Sequence, residues 1–211
     1  MHARARELWD AIPPSLVADT RGAVVRLRQA RSPRQVVGVF DAELTNLFEG
    51  FAPVLVDHPL PFVKPRSAQT AVALIAGCAA AVDEIEAIAL LLPGVDVVAA
   101  PSFPVVAAGY FSALALEAYI AGSLRVHLLQ AGGSTIAPSP LTHDVLTAMT
   151  GRDGAAFPRG AANPLTRRML RRWARGVVPF VGVGYASWDA QRTIRTIARM
   201  PLFPALPSSE S

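Results

Sequence analysis

The sequence predicts an all-α protein, a compact helical bundle built around an Ala/Gly-rich apolar helical hairpin. Three observations predict it. Apolar residues recur at three- and four-residue spacing along nearly every periodic segment, which lines one face of a helix. Prolines and glycines stand at the ends of these segments, where helices start and stop. No pair of alternating apolar and polar runs is joined by the turn chemistry of a β-hairpin.

The elements follow in order. Residues 3–11 form a short amphipathic stretch, ended by Pro13 and Pro14. From residue 15 to about 31, Leu16, Val17, Val24, Val25 and Leu27 alternate with Arg21, Arg26 and Arg28, as on a surface helix. Ser32 and Pro33 then supply an N-cap and a proline at the first helical position. The next segment sets Val36, Phe40, Leu44, Leu47, Phe48 and Phe51 on one face and is the clearest amphipathic helix in the chain.

Residues 52–66 hold four prolines, Pro53, Pro59, Pro61 and Pro65, and are expected to be a connector without regular structure. Residues 67–92 read as one helix, capped by Ser67 and stopped by Pro93 and Gly94. A second runs from about residue 102 to 130 and closes at Gly132 and Gly133, so the two form an antiparallel hairpin. Shorter helices are predicted over 139–149, 165–178 and from beyond Pro179 to about Met200, with a Gly/Ala/Arg loop over 151–162. The chain thus divides into N-terminal amphipathic helices (1–51), a Pro-rich connector (52–66), a helical core (67–200) and a flexible tail (201–211).

The totals bound the function. A chain of 211 residues suits one domain with a real core. Apolar residues make up 52% and charged residues only 17%, with a mean hydropathy of +0.35. Much of the apolar excess is Ala and Val, so this value overstates the case for a membrane span. The single cysteine, Cys78, excludes an internal disulfide and is expected to be a small buried hydrophobe. No secretory signal pattern opens the chain, which points to a cytoplasmic location, peripheral at the inner face of the membrane if it meets one.

Residues 97–116 run for 20 positions without a charge, the nominal length of a spanning helix. Pro101 and Pro104 interrupt them, and Leu, Ile and Phe, which drive insertion, are sparse. The preceding apolar helix carries Asp83, Glu84 and Glu86, each opposing insertion by roughly 2.5–3.5 kcal/mol. A buried or interfacial hairpin is therefore favoured over a transmembrane one. Gly77, Ala81, Gly109, Ala113 and Gly122 would let helices approach closely in either setting.

Charge is polarised along the chain. Residues 163–200 hold eight arginines against one acid, Asp189, a net of +7 in a chain whose total is +4, so the remainder carries −3. Arg168, Arg171, Arg172 and Arg175 follow i, i+3, i+4, i+7 spacing and share one helix face, with Trp173 on an adjoining side. Three readings compete for this stripe. It is a solvated face that keeps the protein soluble, a contact for membrane phosphates or an acidic partner, or a nucleic-acid contact. The last is disfavoured, because no base-reading partners or binding motif accompany it.

The sequence carries no Walker A loop and no Gly-x-Ser-x-Gly elbow, and Gly182 and Gly184 lack the third glycine of a dinucleotide fingerprint. The four histidines show no metal-binding spacing, so neither a metal nor a cofactor is expected. One polar cluster stands out. Asp83 and Glu86 share a face of the apolar helix, and Glu117 on the facing helix can meet them. Such carboxylates can hold protons, a metal or a substrate amine. The blander reading pairs them with arginines, such as Arg125 or those of the basic helices, and so ties the acidic hairpin to the basic C-terminal half.

The run Arg172-Trp-Ala-Arg-Gly-Val-Val-Pro-Phe-Val-Gly-Val-Gly-Tyr-Ala-Ser-Trp-Asp-Ala-Gln-Arg-Thr resembles the C-terminal signature of the EcsC-like bacterial helical proteins. In those proteins a basic helix leads into an apolar Pro-x-Val-Gly stretch and then a Gly/Ala-rich helix with a polar residue and a threonine. The match falls on Val178 to Gly182 and on Asp189 to Thr193, with Asp189 where family members often have asparagine. The upstream Leu-Pro-Gly hairpin is similar in style, so the resemblance covers residues 67–200. It implies an all-α protein tied to membrane processes such as transport or secretion, with no catalytic residues to carry over.

The expectation is a non-catalytic helical protein at a membrane surface or on a membrane-bound partner, with Arg168, Arg171, Arg172, Arg175 and Trp173 as contacts. Two alternatives stand beside it. One is an enzyme acting on a hydrophobic small molecule, with Asp83, Glu86 and Glu117 in an apolar pocket. The other is a ligand-binding or homo-oligomeric scaffold packed through its small-residue faces.

Overall fold

Proline sets the start of most helices, because its fixed φ suits the first helical turn and its missing N–H is not needed there. In the computed structural model, prolines open α1 (Pro14–Gln29), α2 (Pro33–Asp57), α3 (Pro65–Leu91), α5 (Pro138–Thr150) and α6 (Pro164–Gly176). Two further helices, α4 (Ala99–Ala131) and α7 (Val181–Arg199), complete the described set. The structure describes residues 12–61, 64–91, 99–134, 136–151, 164–176 and 181–202, and the backbone alone of 83–91, 99–102, 173, 175 and 176. Among the described residues there is no strand, and the fold is all-α. The expected helix over 3–11, the loop over 152–162 and the tail beyond 202 lie outside them.

Helix ends follow local chemistry. The Ser32 hydroxyl accepts the Gln35 N–H at 3.2 Å, and the Gln35 side chain reaches back to the Arg31 N–H at 2.9 Å, a near-capping box. α3 starts at Pro65, earlier than expected, so Ser67 lies inside its first turn, where its hydroxyl accepts the Lys64 N–H at 3.2 Å. At the end of α4, Gly133 adopts φ +70°. The Ser134 N–H reaches the Leu129 carbonyl and the Gly133 N–H the Gln130 carbonyl, each at 3.0 Å, which is a Schellman stop.

The connector differs from expectation. α2 continues through Pro53 to Asp57, so regular structure covers the first part of 52–66. An internal proline removes one ladder hydrogen bond and kinks the helix. Here Phe51, Ala52 and Leu55 on the same segment are buried, and their packing outweighs that loss. The remaining short connector is clamped by α4. Tyr119 donates to the His58 carbonyl at 2.6 Å, Ser123 accepts the Leu60 N–H at 3.0 Å, and His127 Nε2 lies 2.6 Å from the Leu60 carbonyl. Burial pushes the Tyr119 phenol up to about 12, so it stays a donor at physiological pH.

α4 is the central element and packs against α1, α2, α3, α5 and α7, while α3 and α7 lie along each other. One hydrophobic cluster draws residues from all seven helices, so the N-terminal helices share a core with the rest. Phe40 of α2 meets Phe111 of α4 edge-to-face at 5.8 Å. The segment 103–131 is, among the described residues, long and apolar enough to cross a membrane, with a mean hydropathy of 1.5. Its most apolar window is 78% buried inside the bundle. Burial by the protein's own helices accounts for that hydropathy without lipid.

Two of the small residues allow close helix approach and one does not. A Cβ at Gly77 would lie 2.8 Å from Ser187 Oγ, and one at Gly122 would meet the Leu55 Cδ2 at 3.1 Å with Cδ1 closer still. Gly109 has open space around it. Opposite outcomes are therefore expected for the same substitution. Gly109→Ala should stabilise the protein by about 1 kcal/mol through helix propensity alone. Gly122→Ala should destabilise it, because overpacking against the fully buried Leu55 costs about 1–3 kcal/mol and exceeds that gain. Urea unfolding of both variants tests this, and equal shifts would contradict the packing.

Candidate functional site

α6 buries Leu165, Thr166, Arg168, Met169 and Arg172. The i, i+3, i+4, i+7 spacing of Leu165, Arg168, Met169 and Arg172 makes one stripe, so two arginines lie on the inward face. Arg168 is 2% exposed and Arg172 1% exposed. Facing them, α4 presents Glu117 and α7 presents Asp189 and Thr193, all buried.

The five side chains form a closed network. Arg168 donates from Nε to Asp189 Oδ2 at 2.6 Å and from Nη2 to Glu117 Oε1 at 2.8 Å. Its Nη2 also reaches the Asp189 carbonyl at 3.0 Å and Thr193 Oγ1 at 2.9 Å. Arg172 repeats the pattern, from Nε to Asp189 Oδ2 and from Nη2 to Glu117 Oε2, both at 2.9 Å. The Thr193 hydroxyl donates to Glu117 Oε1 at 2.6 Å. Each guanidinium thus uses one edge to join two carboxylates, and two positive charges meet two negative ones. The Nη1 of each arginine is buried without a hydrogen-bond partner, a desolvation cost of about 1–3 kcal/mol apiece.

The protonation states follow. Burial acts to raise the pKa of Glu117, but the charges of Arg168 and Arg172 and the Thr193 hydroxyl together overcome it and hold the carboxylate below its ordinary 4.5. Burial likewise opposes ionisation of Asp189, and the same two arginines hold it below 3.8. Burial would lower Arg172, yet Glu117 and Asp189 raise it. All three stay charged at neutral pH.

Neighbouring contacts extend this frame. Thr166 donates to Asp41 Oδ1 at 2.9 Å and links α6 to α2. Arg125 of α4 donates to Asp144 of α5 at 2.7 Å and to the Pro201 carbonyl at 2.8 Å, which ties down the end of α7.

The sequence placed Arg168 and Arg172 at a surface contact, and the structure corrects this. They point inward, because two buried acids on other helices demand cations there. Arg171 is exposed, while the side chains of Trp173 and Arg175 lie outside the described residues. So do those of Asp83 and Glu86. Glu117 follows the blander reading and pairs with arginines of the basic helix. Cys78, expected to be buried, is exposed. Sequence reasoning missed Asp189 and Thr193 as the partners. Their i, i+4 spacing on the otherwise apolar face of Gly182, Ala186, Ala190 and Ile194 was the available signal.

Both carboxylates of the network are fully engaged. Glu117 accepts three hydrogen bonds and Asp189 Oδ2 two, so neither carboxylate is poised to move a proton. Among the described residues no group of three or more His, Cys, Asp or Glu is placed to hold a metal ion. An open groove of about 730 Å³ runs along α1 beside Val17, Val25 and Arg21 and shares no residue with the network.

What remains at the surface is one-signed. α6 and α7 expose Arg167, Arg171, Arg192, Arg195 and Arg199, whereas the one acid on these two helices, Asp189, is turned inward. Fold and site together define an all-α bundle locked by a buried ionic cluster, with a cationic outer face on α6 and α7. Compared with family models, curated proteins and solved structures, the chain matches none of them.

Proposed function

We propose that this is a non-catalytic helical protein that associates peripherally with an anionic membrane surface at the cytoplasmic face. One observation carries the reading: α6 and α7 expose five arginines and no acid. A cationic face of this kind attracts anionic headgroups, at about 1 kcal/mol per arginine near the surface, within a Debye length. The buried cluster supports it indirectly. By consuming Asp189 inside the bundle, it leaves the outer arginines without an acid of α6 or α7 to neutralise them. The EcsC-like resemblance, with its link to membrane processes, points the same way.

The test is co-sedimentation with vesicles of pure phosphatidylcholine and with vesicles containing phosphatidylserine, at low and high salt. Binding to the second alone, lost in high salt, is expected. Replacing Arg167, Arg171, Arg192, Arg195 and Arg199 by glutamine should weaken binding on the order of 100-fold or more while circular dichroism stays unchanged. Binding that ignores lipid charge, or survives the five substitutions, would overturn the reading.

A further inference from the structure

Most of the described exposed residues of α3 and α7 fall into two stripes. α3 exposes Arg66, Thr70, Leu74, Cys78 and Val82, every fourth residue, and α7 exposes Val181, Gly184, Trp188, Arg192, Arg195 and Arg199 at steps of three and four. Both spacings trace one face of a helix. Leu74 is 67% exposed, Val82 51%, Val181 50% and Trp188 49%. These four are half of the large apolar residues that the described protein exposes, so the patch is a concentration and not ordinary scatter.

The two stripes lie side by side. Ser187 donates to the Ala73 carbonyl at 3.0 Å, and a Cβ at Gly77 would sit near both Ser187 Oγ and Val183 Cγ1. Moving from 73 to 77 on α3 therefore corresponds to moving from 187 toward 183 on α7, which makes the pair antiparallel. In an antiparallel pair of right-handed helices, the residue after each contact position turns toward the same side. Leu74 and Trp188 are those residues. Hence the apolar half of α3 lies beside the apolar half of α7, and the arginines of α7 lie toward the other end. Seven residues separate Trp188 from Arg195, a rise of about 10 Å. The apolar and cationic halves therefore follow one another along the same face of the pair.

We propose that this paired face is the membrane-docking element, in which Leu74, Val82, Val181 and Trp188 enter the apolar edge of an anionic bilayer while Arg192, Arg195 and Arg199 engage its phosphates. The inference rests on the peripheral-membrane reading and adds which surface inserts. Charge complementarity selects the occupant. Among the described residues this paired face exposes arginines and no acid, so a second copy would set like charges against one another, whereas anionic headgroups supply the counter-charge.

Cys78 lies within the apolar half and is the chain's single cysteine, so the protein can be labelled there with a polarity-sensitive nitrobenzoxadiazole probe. With phosphatidylserine vesicles, a blue shift, a several-fold rise in emission and quenching by shallow spin-labelled lipid are expected. Unlabelled Leu74→Gln/Trp188→Gln protein, altered only at exposed positions, should bind the same vesicles at least tenfold more weakly. Salt-sensitive co-sedimentation with no change in the probe, or with full binding by the double variant, would overturn the docking element and leave the peripheral reading standing. No co-sedimentation at all would overturn both. The same blue shift without lipid, together with a doubled mass in solution, would assign the face to a second copy and overturn the proposal.

Discussion

Glu117→Ala is expected to lower the unfolding free energy by about 3–5 kcal/mol, the cost of breaking a buried ionic cluster by removing one side. Arg168 and Arg172 would then share Asp189 alone, and two buried guanidiniums would face one carboxylate. Water cannot easily compensate, because both arginines are almost fully buried. The loss should appear as a lower urea midpoint with an unchanged slope. Asp189→Asn should cost less, since the amide oxygen still accepts from the two Nε groups while the charge is gone. The decisive control replaces the cluster as a unit, with Glu117→Leu, Asp189→Leu, Arg168→Met and Arg172→Met together. Well-packed apolar substitution of a buried ion network is often neutral or stabilising. If Glu117→Ala alone shifts stability by less than about 1 kcal/mol, the cluster is not the lock described above.

Acid should undo the same lock. Glu117 and Asp189 are held below their ordinary values of 4.5 and 3.8 in the folded protein. The unfolded chain therefore takes up protons first as pH drops. Folding stability contributed by these groups is complete above the ordinary values and is lost as pH falls toward their lowered folded values. Arg172, with its pKa raised, stays cationic throughout. Urea midpoints measured from neutral pH down to about pH 3 should hold steady and then decline as pH falls through the ordinary carboxylate values. The apolar cluster variant should show a shallower decline. Equal slopes in the two proteins would mean that other carboxylates govern acid unfolding.

Much of the architecture was legible in the sequence. The amphipathic spacing of α2, the Ser32 cap with Pro33 behind it, and the Gly132–Gly133 stop are set by interactions within a few residues. Local steric and hydrogen-bonding rules decide such features, so reading neighbours in sequence suffices. Pro53 shows where those rules fail. Locally it ends a helix, but burial of Phe51 and Leu55 against other elements carries α2 past it.

The site divides along the same line. By itself the sequence determined that Arg168, Arg171, Arg172 and Arg175 follow one helical spacing and that an acid at 117 lies in an apolar helix. Only the tertiary structure decided which arginines face inward. Glu117 lies 51 residues from Arg168 along the chain, and Asp189 lies 21 residues away. A buried carboxylate must find a cation wherever the fold brings one near, and that pairing is a property of packed helices, invisible to any one helix. The same holds for the outer face. The exposed stripes of α3 and α7 can be read separately, but their alignment into one surface follows from the contact of Ser187 with Ala73 across the bundle.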